Sequence, residues 1–338
     1  LSWIKSRTGA YSHQLFDAVR GVGEVLYSDN TSAEYSDSAT GHLSAWTADG
    51  YTVSGSSNTE ELNDTGQNYV AWNWLAGGAP TDTNIATTGV MTSGSVFQNG
   101  VSNTSFTPGS SVYPDKISAN TTNGFSIVNV PTTGSALTAA HGLSQAPELI
   151  IAKSMDKVDY WPVGATALAS GWTKFLVFSG TDVVGTGDSL WNDTAPTASL
   201  FTIGTQNAFN NAGENTIFYC FHSVEGYSKV GGSYEGNGTV DGTFIYTGFS
   251  PAYLIIKRID SATNWFIHDD KRSTYNVIDG ETLKVNTATV EVSDTGMAAD
   301  FDSNGFKLRT SDDGYNGATN TYLYLAFAES PFKYANAR

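Results

Sequence analysis

The stretch PELIIAK, residues 147–153, decides the reading of this chain, because it returns as PAYLIIK at residues 251–257 and, shortened, as LSWIK at residues 1–5. Each is an apolar run closing on a lysine. Each lysine is followed 62 or 63 residues later by an asparagine that opens a second apolar run: NYVAWNW from Asn68, NTIFYCF from Asn215 and NTYLYLAF from Asn320. A separation held three times in otherwise divergent text marks an internal repeat. Runs such as LIIAK and IFYCF are apolar on both faces, as central strands are.

Matching pieces fill the interval. Aromatic-rich segments follow the lysines: HQLFD (13–17), DYWPV (159–163) and NWFIH (264–268). Further on come DGYTVSG from Asp49, SLFTIG from Ser199 and NGFKLRT from Asn304, where Asp-Gly and Asn-Gly predict hairpin turns. Upstream of the second and third lysines, NGFSIVNV (123–130) and GTFIYTGF (242–249) read as one further strand per repeat. The first copy lacks it, so the natural protein is expected to extend upstream of Leu1. No segment shows sustained helical period.

The predicted fold is therefore all-β, with three tandem β-sandwich repeats of jelly-roll or lectin-like type, the first incomplete at its start. The expected divisions are a first repeat over 1–78, a linker rich in Gly, Ser, Thr and Asn over 79–118 with a short strand at GSVFQ (94–98), a second repeat over 119–236 and a third over 237–338.

Composition bounds the function. Of 338 residues 40% are hydrophobic, enough for real cores, while only 15% are charged and the net charge is −16. Such a surface repels phosphate and argues against nucleic-acid binding. No apolar run approaches the ~20 residues of a membrane span. The single cysteine, Cys220, has no disulfide partner within the chain and is expected in the core.

The sequence carries little that points to chemistry. The histidines show no metal-ligand spacing. His268 stands beside Asp269 and Asp270, but the repeat does not require it. Adjacent acidic pairs, Asp312–Asp313 and Glu60–Glu61, point in different directions on a loop or strand and make a poor hydrolytic pair. No phosphate-binding or nucleophile motif is present. No catalytic, metal or cofactor residue is assigned. Trp46, Trp161, Trp172, Trp191 and Trp265 are candidate sugar-stacking rings. Trp161 and Trp265 recur at matching positions and are expected in the core. Trp172 and Trp191, among Gly, Asn and Asp, are the expected ligand contacts.

The segments ISANTTNGFSIV, AHGLSQAPELIIAKSMD, KVGGSYEGNG, GFSPAYLIIKRID and YLYLAFAESPF resemble repeated modules in virion proteins of marine tailed bacteriophages, notably those of cyanobacteria. The resemblance spans nearly the whole chain. It implies a non-enzymatic virion structural protein, fibre-like, with lectin-like or SPRY-like sandwich modules and no catalytic residues. The partners it implies are other virion proteins, a host-surface glycan and, by analogy with phage fibres, copies of the chain in a trimer. Two other functions stand beside it: a capsid- or tail-bound decoration or connector protein without a receptor role, and a polysaccharide depolymerase.

Overall fold

A computed structural model describes residues 1–36, 42–55, 62–168, 171–273, 276, 281–293 and 295–330. The architecture is all-β. The lysine-ended runs form three central strands, Ser2–Ser6, Leu149–Ser154 and Pro251–Arg258. Each lies between two antiparallel partners. On one side are the aromatic strands Gln14–Phe16, Pro162–Ala165 and Trp265–Asp269. On the other are the closing strands Tyr69–Asn73, Asn215–Phe221 and Thr321–Ala328.

The register is the same each time. Trp3 faces Leu15 and Trp72; Ile151 faces Val163 and Tyr219; Ile255 faces Ile267 and Leu325. All nine of these side chains are buried in a single cluster shared by the three sheets. Their alternate neighbours point the other way, where each sheet is covered by a short sheet of its own. The covers are Leu43–Trp46 with Tyr51–Val53, Leu137–Ala140 with Leu200–Ile203, and Phe244–Tyr246 with Gly305–Leu308 and Ala299–Asp302. This explains why the central runs are apolar on both faces: one face lines the common core and the other lines a local sandwich.

The lysines end the strands inside the protein. Lys5, Lys153 and Lys257 are all fully buried. Each ammonium donates to the carbonyl of the next residue, at 2.7 Å for Ser6, 2.8 Å for Ser154 and 2.7 Å for Arg258. Each also reaches a loop carbonyl: Lys5 that of Gly9 at 3.3 Å and Lys153 that of Lys157 at 2.7 Å, in the loop after the strand, and Lys257 that of Thr181 in a loop of the second sheet at 3.4 Å. A buried ammonium needs such acceptors, and a strand that turns into a loop has carbonyls to be capped. Loss of hydration still pushes Lys153 and Lys257 down to about 8.

The three sheets close in a ring. The Trp161 indole N–H donates to the Asn30 carbonyl of the first sheet's turn at 3.2 Å, and that of Trp265 to Val177 of the second at 2.9 Å. Ser28 of the first donates to the Val285 carbonyl of the third at 2.8 Å. A second set of contacts runs from closing strands to the loops after the aromatic strands. Tyr219 donates to Asp17 at 2.8 Å, and Trp72 donates to Asp269 at 3.0 Å. Each aspartate is paired in turn with an arginine three residues on, Arg20 at 2.5 Å and Arg272 at 2.6 Å, in both cases almost wholly out of solvent. By register the third junction carries Ala165, Leu168 and Leu325 at these places, all apolar and buried.

Two expectations change. The stretch 79–118 has the strand expected at GSVFQ, but it is built into a sheet and is not a free linker. It contributes Val96–Gln98, Val101–Ser102 and the start of Lys116–Asn120 to the largest sheet, with Val96 parallel to Ile117. Few apolar residues suffice because Met91 and Val96 are fully used in the core, while Asn84 and Asn103 side chains accept the loop's own N–H groups. The upstream strands also correspond differently. Phe125–Pro131 pairs with the closing strand of its sheet, and its counterpart in the third unit is Ser228–Glu235, not GTFIYTGF. Phe244–Tyr246 belongs to the cover, like Leu137–Ala140. Short alternating strands carry no mark of which sheet they join.

Candidate functional site

The two tryptophans expected to meet ligand are inside the protein. Trp172 is 4% and Trp191 0% exposed, and their rings meet edge to face at 5.3 Å. The cause is Gly164. Its counterparts in the other sheets are Phe16 and His268, large side chains that fill the space beneath the cover. A Cβ on Gly164 would stand 2.4 Å from the Trp172 ring and 2.8 Å from that of Trp191. The two indoles therefore fill the hole left by a glycine, and their loop setting in the sequence is no guide to exposure. Trp161 and Trp265 are buried in the shared core, and Trp46 is half-buried against Tyr51.

The titratable groups singled out in the sequence also serve the fold. His268 is fully buried, its Nε2 lies 2.5 Å from the Tyr315 hydroxyl, and burial with the Arg272 charge pushes it down to about 3. Asp269 points to the opposite face, to Arg272 and Trp72. Asp312 accepts from the Gly314 N–H within its own turn. Glu60 and Glu61 lie outside the described residues. Burial raises the Cys220 thiol, so it is no nucleophile. Among the described residues no cluster of His, Cys, Asp and Glu has the makings of a metal site.

A different surface has the chemistry of recognition. In the strand Phe244–Tyr246, Ile245 is buried under the third cover while Phe244 is 43% and Tyr246 65% exposed. Alternation puts both rings on the outer face. Phe244 lies opposite Lys307, which lies opposite Asp300; Tyr246 lies opposite Gly305, which lies opposite Asp302. A Cβ on Gly305 would come within 2.9 Å of the Phe244 ring tip, so the glycine lets the ring lie down over the sheet. Gly248, at φ +87°, supplies the left-handed turn beside the Tyr246 hydroxyl. The result is two exposed aromatic rings on one face of the strand, bordered by charge.

That border is organised. The Lys307 ammonium is 2.6 Å from Asp241, whose carboxyl it holds below the usual range by that hydrogen bond. Arg309 bridges Asp241 at 3.7 Å and also pairs with Asp300. Aromatic faces take the apolar face of a sugar ring, and neighbouring carboxylates and cations take its hydroxyls. Sequence reading missed this pair although its signal, Phe-Ile-Tyr at alternating positions, is visible. What the sequence lacks is the side of the strand that faces water.

One protein-family model matches the chain, over residues 1–111 and again over 94–331, and it is described as a domain of unknown function, DUF7483. No curated protein matches the chain. No solved structure matches it.

Proposed function

The chain belongs to the DUF7483 family, and on that footing we propose that it is a non-enzymatic structural protein of a bacteriophage virion, a fibre or adhesin that attaches to host-surface glycan. The observation that carries this reading is the exposed Phe244–Tyr246 pair with its charged border. It is supported by the resemblance of the repeats to phage virion modules. The buried lysines and the aspartate–arginine pairs act within the core, so the outer loops and covers are what this body offers to a partner. The decoration or connector reading is favoured by a separate observation, an unpaired strand edge described below.

The test is binding of the purified protein to candidate host cells and to a glycan array, with Phe244→Ala/Tyr246→Ala beside it. The expected result is saturable binding that a defined sugar competes away and that the double variant weakens about tenfold or more, with unchanged thermal stability. Equal binding by the variant overturns the assignment of the site. Release of reducing ends from host polysaccharide overturns the non-enzymatic reading.

A further inference from the structure

The ring of sheets has three junctions, and two of them are filled alike. Where the second closing strand meets the loop of the first sheet, Phe125–Pro131 pairs antiparallel along its outer edge. Where the third closing strand meets the loop of the second sheet, Ser228–Glu235 does the same. These strands send apolar side chains inward: Phe125 stacks on Phe221 at 4.6 Å, Ile127 lies opposite Tyr219, and Val230 joins the same core.

At the remaining junction, where the closing strand Tyr69–Asn73 meets the loop of the third sheet and Trp72 donates to Asp269, no described strand takes this place. Tyr69–Asn73 is the edge of its sheet. Trp74 and Leu1 exchange both main-chain hydrogen bonds, and Arg7 donates to Asn68. Antiparallel alternation then turns the N–H and C=O of Ala71 and Asn73 away from the sheet, toward the open side. Both residues are exposed.

A groove of about 410 Å³ runs along this edge, between Trp72 and Trp74 on one side and Tyr227, Tyr253, Asp270 and Phe327 on the other. The register places Trp72 and Trp74 where Tyr219 and Phe221 meet their strand. Ala252, which lines the groove, holds the place of Glu148, the residue whose carbonyl stands 2.7 Å from a Cβ position on Gly231 of the filling strand. The Asp270 N–H donates to the Ala252 carbonyl as the Thr166 N–H does to Glu148, so the two sites share their frame. At the groove wall the Tyr253 hydroxyl is buried without a hydrogen-bond partner, although Tyr253 is only 6% exposed. A buried hydroxyl left unpaired is costly, and an arriving polar group would satisfy it.

We infer that this groove accepts an extended strand of another polypeptide, which pairs antiparallel with Tyr69–Asn73 and sets apolar residues opposite Trp72 and Trp74. Strand addition of this kind draws its affinity from main-chain bonds and its selectivity from alternate side chains. A second copy of the chain is a poorer occupant. Two bodies of net charge −16 repel each other. The strands of matching pattern, Phe125–Pro131 and Ser228–Glu235, are already engaged within their own sheets. The inference does not depend on glycan binding, which uses a different surface.

The probe is a synthetic peptide with the sequence of residues 123–131, NGFSIVNVP, titrated into the full chain. The readouts are tryptophan fluorescence and amide hydrogen exchange. The expected result is saturable binding that protects the Ala71 and Asn73 amides. Ala71→Pro removes an outward N–H that no sheet bond uses, so the fold should stand while binding falls about tenfold or more. Tyr253→Phe should weaken binding severalfold, and Phe244→Ala/Tyr246→Ala should leave it unchanged. Failure of the peptide to protect those amides overturns the inference, as does undiminished binding to Ala71→Pro. Protection without peptide, in a chain that sediments as a dimer, shows a second copy to be the occupant and overturns the assignment to another polypeptide.

Discussion

Removing the Asp269 carboxylate should open the junction between the first and third sheets. Asp269 accepts four N–H groups: the Trp72 indole at 3.0 Å, Arg272 Nε at 2.6 Å, and the main-chain N–H groups of Lys271 at 3.1 Å and Arg272 at 2.9 Å. The Arg272 side chain is 2% exposed and lies with its guanidinium 5.6 Å from the Trp72 ring centre. Asp269→Ala leaves this cation buried with Glu291 as its remaining carboxylate, at 2.9 Å. Breaking one side of a buried pair costs about 3–5 kcal/mol. The chain itself shows the remedy, since the equivalent positions at another junction are Ala165 and Leu168. Asp269→Ala/Arg272→Leu should therefore recover about 1–4 kcal/mol of the loss, because apolar replacement of both partners avoids the stranded charge. Urea denaturation of the two single variants, the double variant and the parent gives the coupling directly. A single variant within about 1 kcal/mol of the parent, or a double variant no more stable than Asp269→Ala, refutes the clamp argument.

The remaining predictions concern pH. Because Lys153 and Lys257 sit near 8 in the folded chain and near the ordinary 10.5 once unfolded, the unfolded chain binds more protons between these values. Stability should then rise with pH across that window, by up to about 1.4 kcal/mol per pH unit for each lysine, and a flat urea midpoint from pH 7 to 10 contradicts this. Asp17 and Asp269 give the same sign in the acid range, stability rising with pH, because their folded values are also lowered. Burial pushes each up, but Arg20 and Arg272 and their N–H bonds outweigh it and hold both below the ordinary value. Their contribution is present above the ordinary aspartate range near pH 4 and is lost as pH falls through the folded values, which acid titration of the Tyr219 and Trp72 environments should report.

Much of the framework was legible because the repeat rests on strong local requirements. A central strand buried on both faces must be apolar throughout, and the buried lysine near its end must reach main-chain carbonyls, the next residue's in every case. Lys5, Lys153 and Lys257 therefore stand out in the sequence, and they occupy matching places in the sheets. Closure of the ring was not legible. It depends on pairs such as Trp161 with Asn30, 131 residues apart, and on the exchange of one polar clamp for Ala165, Leu168 and Leu325. The site was misread for a related reason. Trp172 and Trp191 sit in polar text but fill the space above Gly164, whereas Phe244 and Tyr246 sit in strand-like text and face water. Whether a ring is inside depends on what surrounds it in the fold: Gly164 leaves room for the two indoles, whereas strand alternation turns Phe244 and Tyr246 outward.

Three sheets sharing one core cannot unfold independently, since each would expose the inner face of the others. Scanning calorimetry tests this most directly. Closure around a common core predicts one cooperative transition in which the calorimetric enthalpy equals the van't Hoff enthalpy. Two or three resolved transitions, or a calorimetric enthalpy several times the van't Hoff value, would show separate sandwiches strung along the chain and contradict the closed ring.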